Sequence, residues 1–147
     1  MRAVVQRVSS ARVVVDGQVT GSIGLGLVVL IGVTNDDGPG DVQYIAGKVR
    51  DLRVFDDAGG KMNLAAGDVG GAVLAVSQFT LYGDTRRGRR PSWDRAAPAP
   101  VARALYEATI TAMRDCGLRV ETGVFQARMS VELVNDGPVT LLLDSRD

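Results

Sequence analysis

The stretch AVVQRVSSARVVVDGQVTGSIGLGLVVLIGV, Ala3 to Val33, carries the first signal of the fold. Runs rich in β-branched residues lie on both sides of Asp16-Gly17. That dipeptide suits a type I′ hairpin turn, whose two central residues both need positive φ. From Leu27 to Val33 the chain is unbroken apolar sequence, the pattern of a strand buried on both faces. The following segment, Thr34 to Gly40, reads as a loop because it gathers Asn, Asp, Gly and Pro.

From Asp41 the period changes. Val42, Ile45, Ala46, Val49 and Leu52 recur at helical spacing, with Lys48, Arg50 and Asp51 between them, which predicts an amphipathic helix laid on the sheet. DDAGG, residues 56 to 60, is a turn, and Ala72 to Thr80 (AVLAVSQFT) reads as another central strand. A second helix is expected from about Pro100 to Asp115, with Val101, Leu105, Ala108, Ala112 and Met113 on one face and Gly117 as its stop. LRVET, MSVELVN and VTLLLD return to strands, the last two meeting at a corner formed by Asn135 and Asp136. Strand groups separated by two helices argue for an α+β fold: a curved, mostly antiparallel, barrel-like sheet covered by helices. At 147 residues a single domain spanning 1–147 is the expectation, and the chain is long enough to bury its own core.

Composition removes whole classes of function. Hydrophobic residues are 46% and charged residues 23%, which is ordinary for a globular chain and leaves no room for a disorder reading. No apolar run approaches a membrane span, and the first ten residues lack a signal peptide's apolar stretch, so a cytoplasmic address is expected. One cysteine, Cys116, permits no intrachain disulfide. The chain has no histidine. This excludes Ser-His-Asp and Cys-His chemistry and nearly every zinc site built on imidazole. Seventeen basic residues balance seventeen acidic ones, so any polyanion must be held by a local patch.

Three segments put polar or special residues where a plain strand would not. In SQFTLYGD, Ser77 to Asp84, hydroxyl and amide groups crowd the end of an apolar strand. Such groups can simply satisfy neighbouring backbone, or they can form a polar site in which hydroxyls and backbone N–H groups stabilise an oxyanion. In TRRGRRPSW, Arg86, Arg87, Arg89 and Arg90 surround Gly88. This is either a solvated loop or a grip for phosphates, which guanidinium binds in a bidentate manner. In NDGPVTLLL, Asn135 to Leu143, the Gly137-Pro138 pair sits in a turn, and physics alone favours a trans bond there.

Taken together, MRAVVQRVSSARVVVDG, KMNL at 61–64, SQFTLYGDTRRGRRPSW and LVNDGPVT resemble the D-aminoacyl-tRNA deacylase (D-tyrosyl-tRNA deacylase) family in sequence and in order. The resemblance spans nearly the whole chain. It implies a homodimer with each active site at the subunit interface. Ser77, Gln78, Phe79 and Thr80 would form the pocket for the aminoacylated 3′-terminal adenosine of tRNA. Gly137-Pro138 would be a Gly-cisPro element reaching into the partner's pocket, its carbonyls engaging the substrate's α-amino group. An L side chain would be driven into the backbone, whereas D-aminoacyl-tRNA would be accepted and so would glycyl-tRNA(Ala), since glycine has nothing to exclude. Arg7 would hold the Gly-Pro loop from behind.

The resemblance also accounts for the missing histidine. Hydrolysis would be largely substrate-assisted, with the terminal 2′-OH helping to activate water while backbone N–H groups near Phe79 and Thr80 stabilise the oxyanion. Thr80 as a covalent nucleophile would need a base to take its proton, so a positioning role is preferred. No cofactor and no metal is implied. Phe125, Ala127 and Met129 match the family's usual segment before the last strands, which implies that Phe125 and Met129 keep the wall of the substrate pocket, but Gln126 stands where glycine is usual, which puts the local backbone turn and the fit around the adenine in question. Gly83, where alanine is common, reads as harmless. A non-catalytic binder of nucleic-acid ends on the same fold, working through the arginine loop, is the main alternative. A structural dimer with a vestigial site is a third reading.

Overall fold

A computed structural model describes all residues from Met1 to Asp147. Its strands and helices follow in the order β1 (Arg2–Val15), β2 (Gln18–Ile23), β3 (Gly26–Gly32), α1 (Pro39–Asp51), β4 (Phe55–Asp56), β5 (Met62–Leu64), β6 (Ala72–Ser77), α2 (Ala99–Asp115), β7 (Arg119–Thr122) and β8 (Ser130–Asp144). The first hairpin forms as its turn chemistry requires: Asp16 has φ 48° and Gly17 φ 76°, and Val15 pairs with Gln18 across the turn.

The main sheet runs β2-β1-β3-β6-β7, with β8 on the remaining side of β1. β1 pairs antiparallel with β2, β3 and β8, while β3-β6 and β6-β7 are parallel. The parallel pairs arise because each crossover carries a helix. The sheet curls until β2 and β7 lie side by side, giving a nearly closed barrel. A β-carbon on Gly21 would stand 2.4 Å from the Thr122 carbonyl oxygen and 3.2 Å from Leu74 Cδ1, so only glycine allows this approach.

The unbroken apolar run of β3 is explained by two cores. Leu27, Val29 and Ile31 face the helices, where they join Val42, Ile45 and Val49 of α1 and Tyr106, Ile110 and Met113 of α2. Val28 faces the barrel interior with Val8, Val13, Ile23, Leu74 and Val76. Both faces of β3 are therefore dry.

Three expectations need correction. α2 buries Ala102, Tyr106, Thr109, Ile110 and Met113, whereas Val101 and Ala108 are exposed. Thr109 and Tyr106 qualify for the inner face because their hydroxyls bond the Leu105 and Ala75 carbonyls, at 2.8 and 2.9 Å. The helix does stop at Gly117, where Leu118 N–H reaches Met113 O and Gly117 N–H reaches Arg114 O, the paired bonds of a Schellman end. The strand from Ala72 ends at Ser77, and Phe79–Tyr82 form a 3₁₀ turn instead. The corner at Asn135-Asp136 is not a hairpin: both flanks of β8 pair with the same strand, β1, so the chain continues in one direction.

Gly21→Ala is expected to destabilise the fold by about 1–3 kcal/mol in urea denaturation, the range for overpacking. Gly24→Ala, whose β-carbon meets open space, serves as the control within about 0.5 kcal/mol. Equal stabilities of the two variants would contradict the closure at Gly21.

Candidate active site

Between Gln6↔Thr140 and Val8↔Asn135, β1 advances two residues while β8 advances five. The surplus leaves the ladder as a protrusion centred on Asp136, Gly137 and Pro138, all exposed. The Gly137-Pro138 bond is cis, where local physics alone favoured trans. Asn135 clips its neck, donating from Nδ2 to the Arg7 and Val139 carbonyls at 2.9 and 3.0 Å. Arg7 supports it from behind. Its side chain is buried, Nε donates to the Asp136 carbonyl at 3.3 Å, and Nη1 donates to the Val54 carbonyl at 2.6 Å. Asp136 and Asp56 lie within ion-pair distance of the same guanidinium.

A cavity of about 530 Å³ opens where β6 ends. Ser77, Gln78 and Phe79 form one wall, Phe125, Gln126 and Met129 another, and Ala96, Ala97, Ala99 and Ala102 the floor. The 3₁₀ turn is pinned over the end of β3. A β-carbon on Gly32 would lie 3.0 Å from both the Gln78 oxygen and Leu81 Cβ, and Tyr82 is buried beneath. Arg2 lies 4.8 Å over the Tyr82 ring and donates to the Leu81 carbonyl at 3.3 Å. Burial, chiefly, pushes the Tyr82 hydroxyl up to about 12, so it stays a phenol. With Tyr82 inward, Phe79 is left 53% exposed at the cavity's edge.

The predicted residues of the pocket and of the Gly-Pro loop fall into three groups. Ser77, Gln78, Phe79, Phe125 and Met129 meet in the cavity. Thr80 lies on the exposed side of the turn, where its hydroxyl accepts a hydrogen bond from Gln78 Nε2, and no titratable base contacts it. Gly137, Pro138 and Arg7 do not line the cavity of their own chain. Val131 of β8 does, and from there to Gly137 an extended strand covers roughly 20 Å.

Arg86, Arg87, Arg89 and Arg90 occupy the tip of a loop closed by reciprocal Asp84–Ser92 backbone bonds of 2.8 and 2.9 Å. Arg86 is committed to Asp84, whose carboxyl it holds well below the usual carboxylate range by side-chain hydrogen bonds and its backbone N–H. The other three have no ion-pair partner. No group of three or more Cys, Asp or Glu side chains is assembled in a way that could hold a metal ion.

Sequence reasoning missed the alanine floor and Trp93. The floor is visible in retrospect as the small-residue run AAPAPVARA, Ala96 to Ala104, at the start of α2. Gly83 is not indifferent either: a β-carbon there would come within 2.7 Å of Trp93 Cζ3. Trp93 packs edge-to-face on Phe79, with centroids 5.2 Å apart.

Comparison with known proteins places the chain in a family. The family model for D-Tyr-tRNA(Tyr) deacylase matches residues 4–144. The D-aminoacyl-tRNA deacylase of Anaeromyxobacter dehalogenans (strain 2CP-C) is 65% identical over 146 residues, covering 99% of this chain and 98% of its own. A solved structure described as c-Myc DNA Unwinding Element Binding Protein has a TM-score of 0.92 at 36% identity, with 98% of each chain covered. A probable eukaryotic D-amino acid tRNA deacylase, at 17% identity, shares the fold with a TM-score of 0.83 and 97% coverage of each chain. The chain therefore belongs to the D-Tyr-tRNA(Tyr) deacylase family.

Gln126 has φ +63°, the left-handed region that favours glycine, the residue that the family resemblance leads one to expect here. Gln126→Gly is expected to raise stability by about 0.5–1 kcal/mol, the relief of left-handed strain less the extra entropy glycine loses on folding. A loss of stability in urea titration would contradict this.

Proposed function

We propose that this protein is a D-aminoacyl-tRNA deacylase, hydrolysing the ester that joins a D-amino acid, or mischarged glycine on tRNA(Ala), to the terminal adenosine of tRNA. The observation that carries the reading is the division of β8. One end of this strand walls the cavity, while Gly137-Pro138 stands out from the ladder too far along to enter it. A supported protrusion of this kind suits the cavity of a second copy. β8 pairs with no strand other than β1, and its Val134 and Leu142 are exposed at 57% and 80%, which also favours a homodimer.

On this reading the adenosine occupies the cavity against Phe125 and Met129, with Ser77 and Gln78 beside the ester. The partner's Gly137-Pro138 carbonyls accept hydrogen bonds from the α-amino group, and an L side chain meets their backbone. The 2′-OH of the terminal ribose assists the attacking water. Phe79 and Thr80 open a 3₁₀ turn, whose first N–H groups have no partner within the turn and are suited to an oxyanion. Thr80 positions rather than attacks, since the group bonded to its hydroxyl is the Gln78 amide, which cannot take a proton. Arg87, Arg89 and Arg90 take phosphates of the acceptor end. A tRNA substrate places the work of the chain in the cytoplasm.

The alternative, a binder without catalysis, is favoured by one finding: the 36%-identical solved structure is named for binding a DNA unwinding element. The two readings differ in what the cavity does. Purified protein is expected to release D-tyrosine from D-Tyr-tRNA while sparing L-Tyr-tRNA, with rates unchanged by EDTA. Equal rates on both isomers, or loss with EDTA that added metal restores, would contradict the account. Gly137→Val puts a β-carbon 3.0 Å from Arg7 Nη2 at φ +118° and is expected to lower kcat/KM by about 100-fold or more. Thr80→Ala should likewise abolish most deacylation. A binder would lose function chiefly when the arginines are changed.

A further inference from the structure

Phe79 and Trp93 form an exposed aromatic pair that the pocket chemistry does not use up. The chain has three phenylalanines, three tyrosines and a single tryptophan, yet it leaves two of these rings side by side at the cavity's edge, 53% and 41% exposed. The indole is anchored where it stands. The Asp84–Ser92 bonds close the loop immediately before it, Ala96 N–H bonds the Trp93 carbonyl at 2.9 Å, and Asn35 Nδ2 donates to the Asp94 carbonyl at 3.3 Å. Gly83 leaves the space into which Trp93 Cζ3 fits. Arg87, Arg89 and Arg90, free of carboxylate partners, occupy the tip of the same closed loop.

An anchored, part-exposed ring at the base of a loop whose tip carries unpaired guanidiniums combines the two groups that recognise single-stranded nucleic acid: bases stack on the ring and phosphates are held by arginine. A neutral chain with only this local patch fits a short single strand rather than a long duplex. Resting on the reading that the cavity takes the terminal adenosine, we propose that Trp93 is a stacking platform for the base of the preceding nucleotide. Arg87, Arg89 and Arg90 hold the phosphates 5′ of that base. The occupant is the unpaired 3′ end of tRNA.

Because Trp93 is the sole tryptophan, its emission reports on this position alone. Titrating the full-length protein with a CCA trinucleotide is expected to quench it in a salt-sensitive manner, while adenosine monophosphate quenches it far less. No quenching by the trinucleotide, or equal quenching by both, would overturn the proposal. So would emission that responds only to protein concentration, which would mean that another chain covers the ring. In kinetics, Trp93→Ala should lower kcat/KM on D-Tyr-tRNA at least about tenfold more than on D-tyrosyl-adenosine, and Trp93→Phe should largely restore the ratio. Gly83→Ala, which displaces the ring without removing it, should shift the ratio the same way. Equal losses on both substrates would reduce Trp93 to a support for Phe79 and overturn the platform. Quenching by CCA in a protein that hydrolyses no D-Tyr-tRNA would uphold the platform and remove the deacylase reading.

Discussion

The pairing of β8 along the whole of β1, from Arg2↔Asp144 to Val14↔Ser130, is the constraint on which the site depends. Because both ends of β8 are locked to one strand, the extra residues between Asn135 and Thr140 cannot slide or form a separate hairpin. They must leave the sheet at one place. Arg7 then fixes how they leave, since a buried guanidinium must find acceptors and takes them from the Val54 and Asp136 carbonyls. The protrusion is thus a consequence of register plus one buried cation, and it is held at its neck by Asn135 and from behind by Arg7.

The same economy shapes the cavity. β6 ends because Gln78 N–H makes its last bond to Ile31 O and the chain turns into the 3₁₀ segment. Tyr82 goes inward and Phe79 outward. Nothing in this arrangement supplies a strong base, and the chain has no histidine to supply one. What it supplies is shape: an alanine floor, aromatic and methionine walls, and polar groups at the rim. Chemistry of this kind works through placement and exclusion.

Much of the fold was legible in the sequence because its signals are local. Asp16-Gly17 specifies its turn, the unbroken run of β3 announces a strand covered on both sides, and Val42, Ile45, Ala46 and Val49 mark the buried face of α1. The buried face of α2 was misread because Thr109 and Tyr106 bury polar atoms that find partners only in the folded chain. The corner at Asn135-Asp136 was misread for a similar reason: a turn dipeptide has the same composition at a corner between two strands and in a bulge within one, and pairing with a distant strand decides between them. Of the site, SQFT and Gly-Pro were visible as motifs, and their resemblance to a family gave them meaning. Trp93 was not, because its importance lies in a contact with Phe79 and in space left by Gly83.

The central claim is that each cavity is completed by Gly137-Pro138 from another copy. Two inactive variants, one damaged in the cavity (Phe79→Ala) and one in the protrusion (Gly137→Val), test it when they are mixed and allowed to exchange subunits. In a mixed dimer one site combines an intact cavity with an intact protrusion, so D-Tyr-tRNA deacylation is predicted to reappear at up to about half the wild-type rate per mixed dimer. Recovery that never rises above the sum of the two separate variants, with mixed dimers present, would contradict the account.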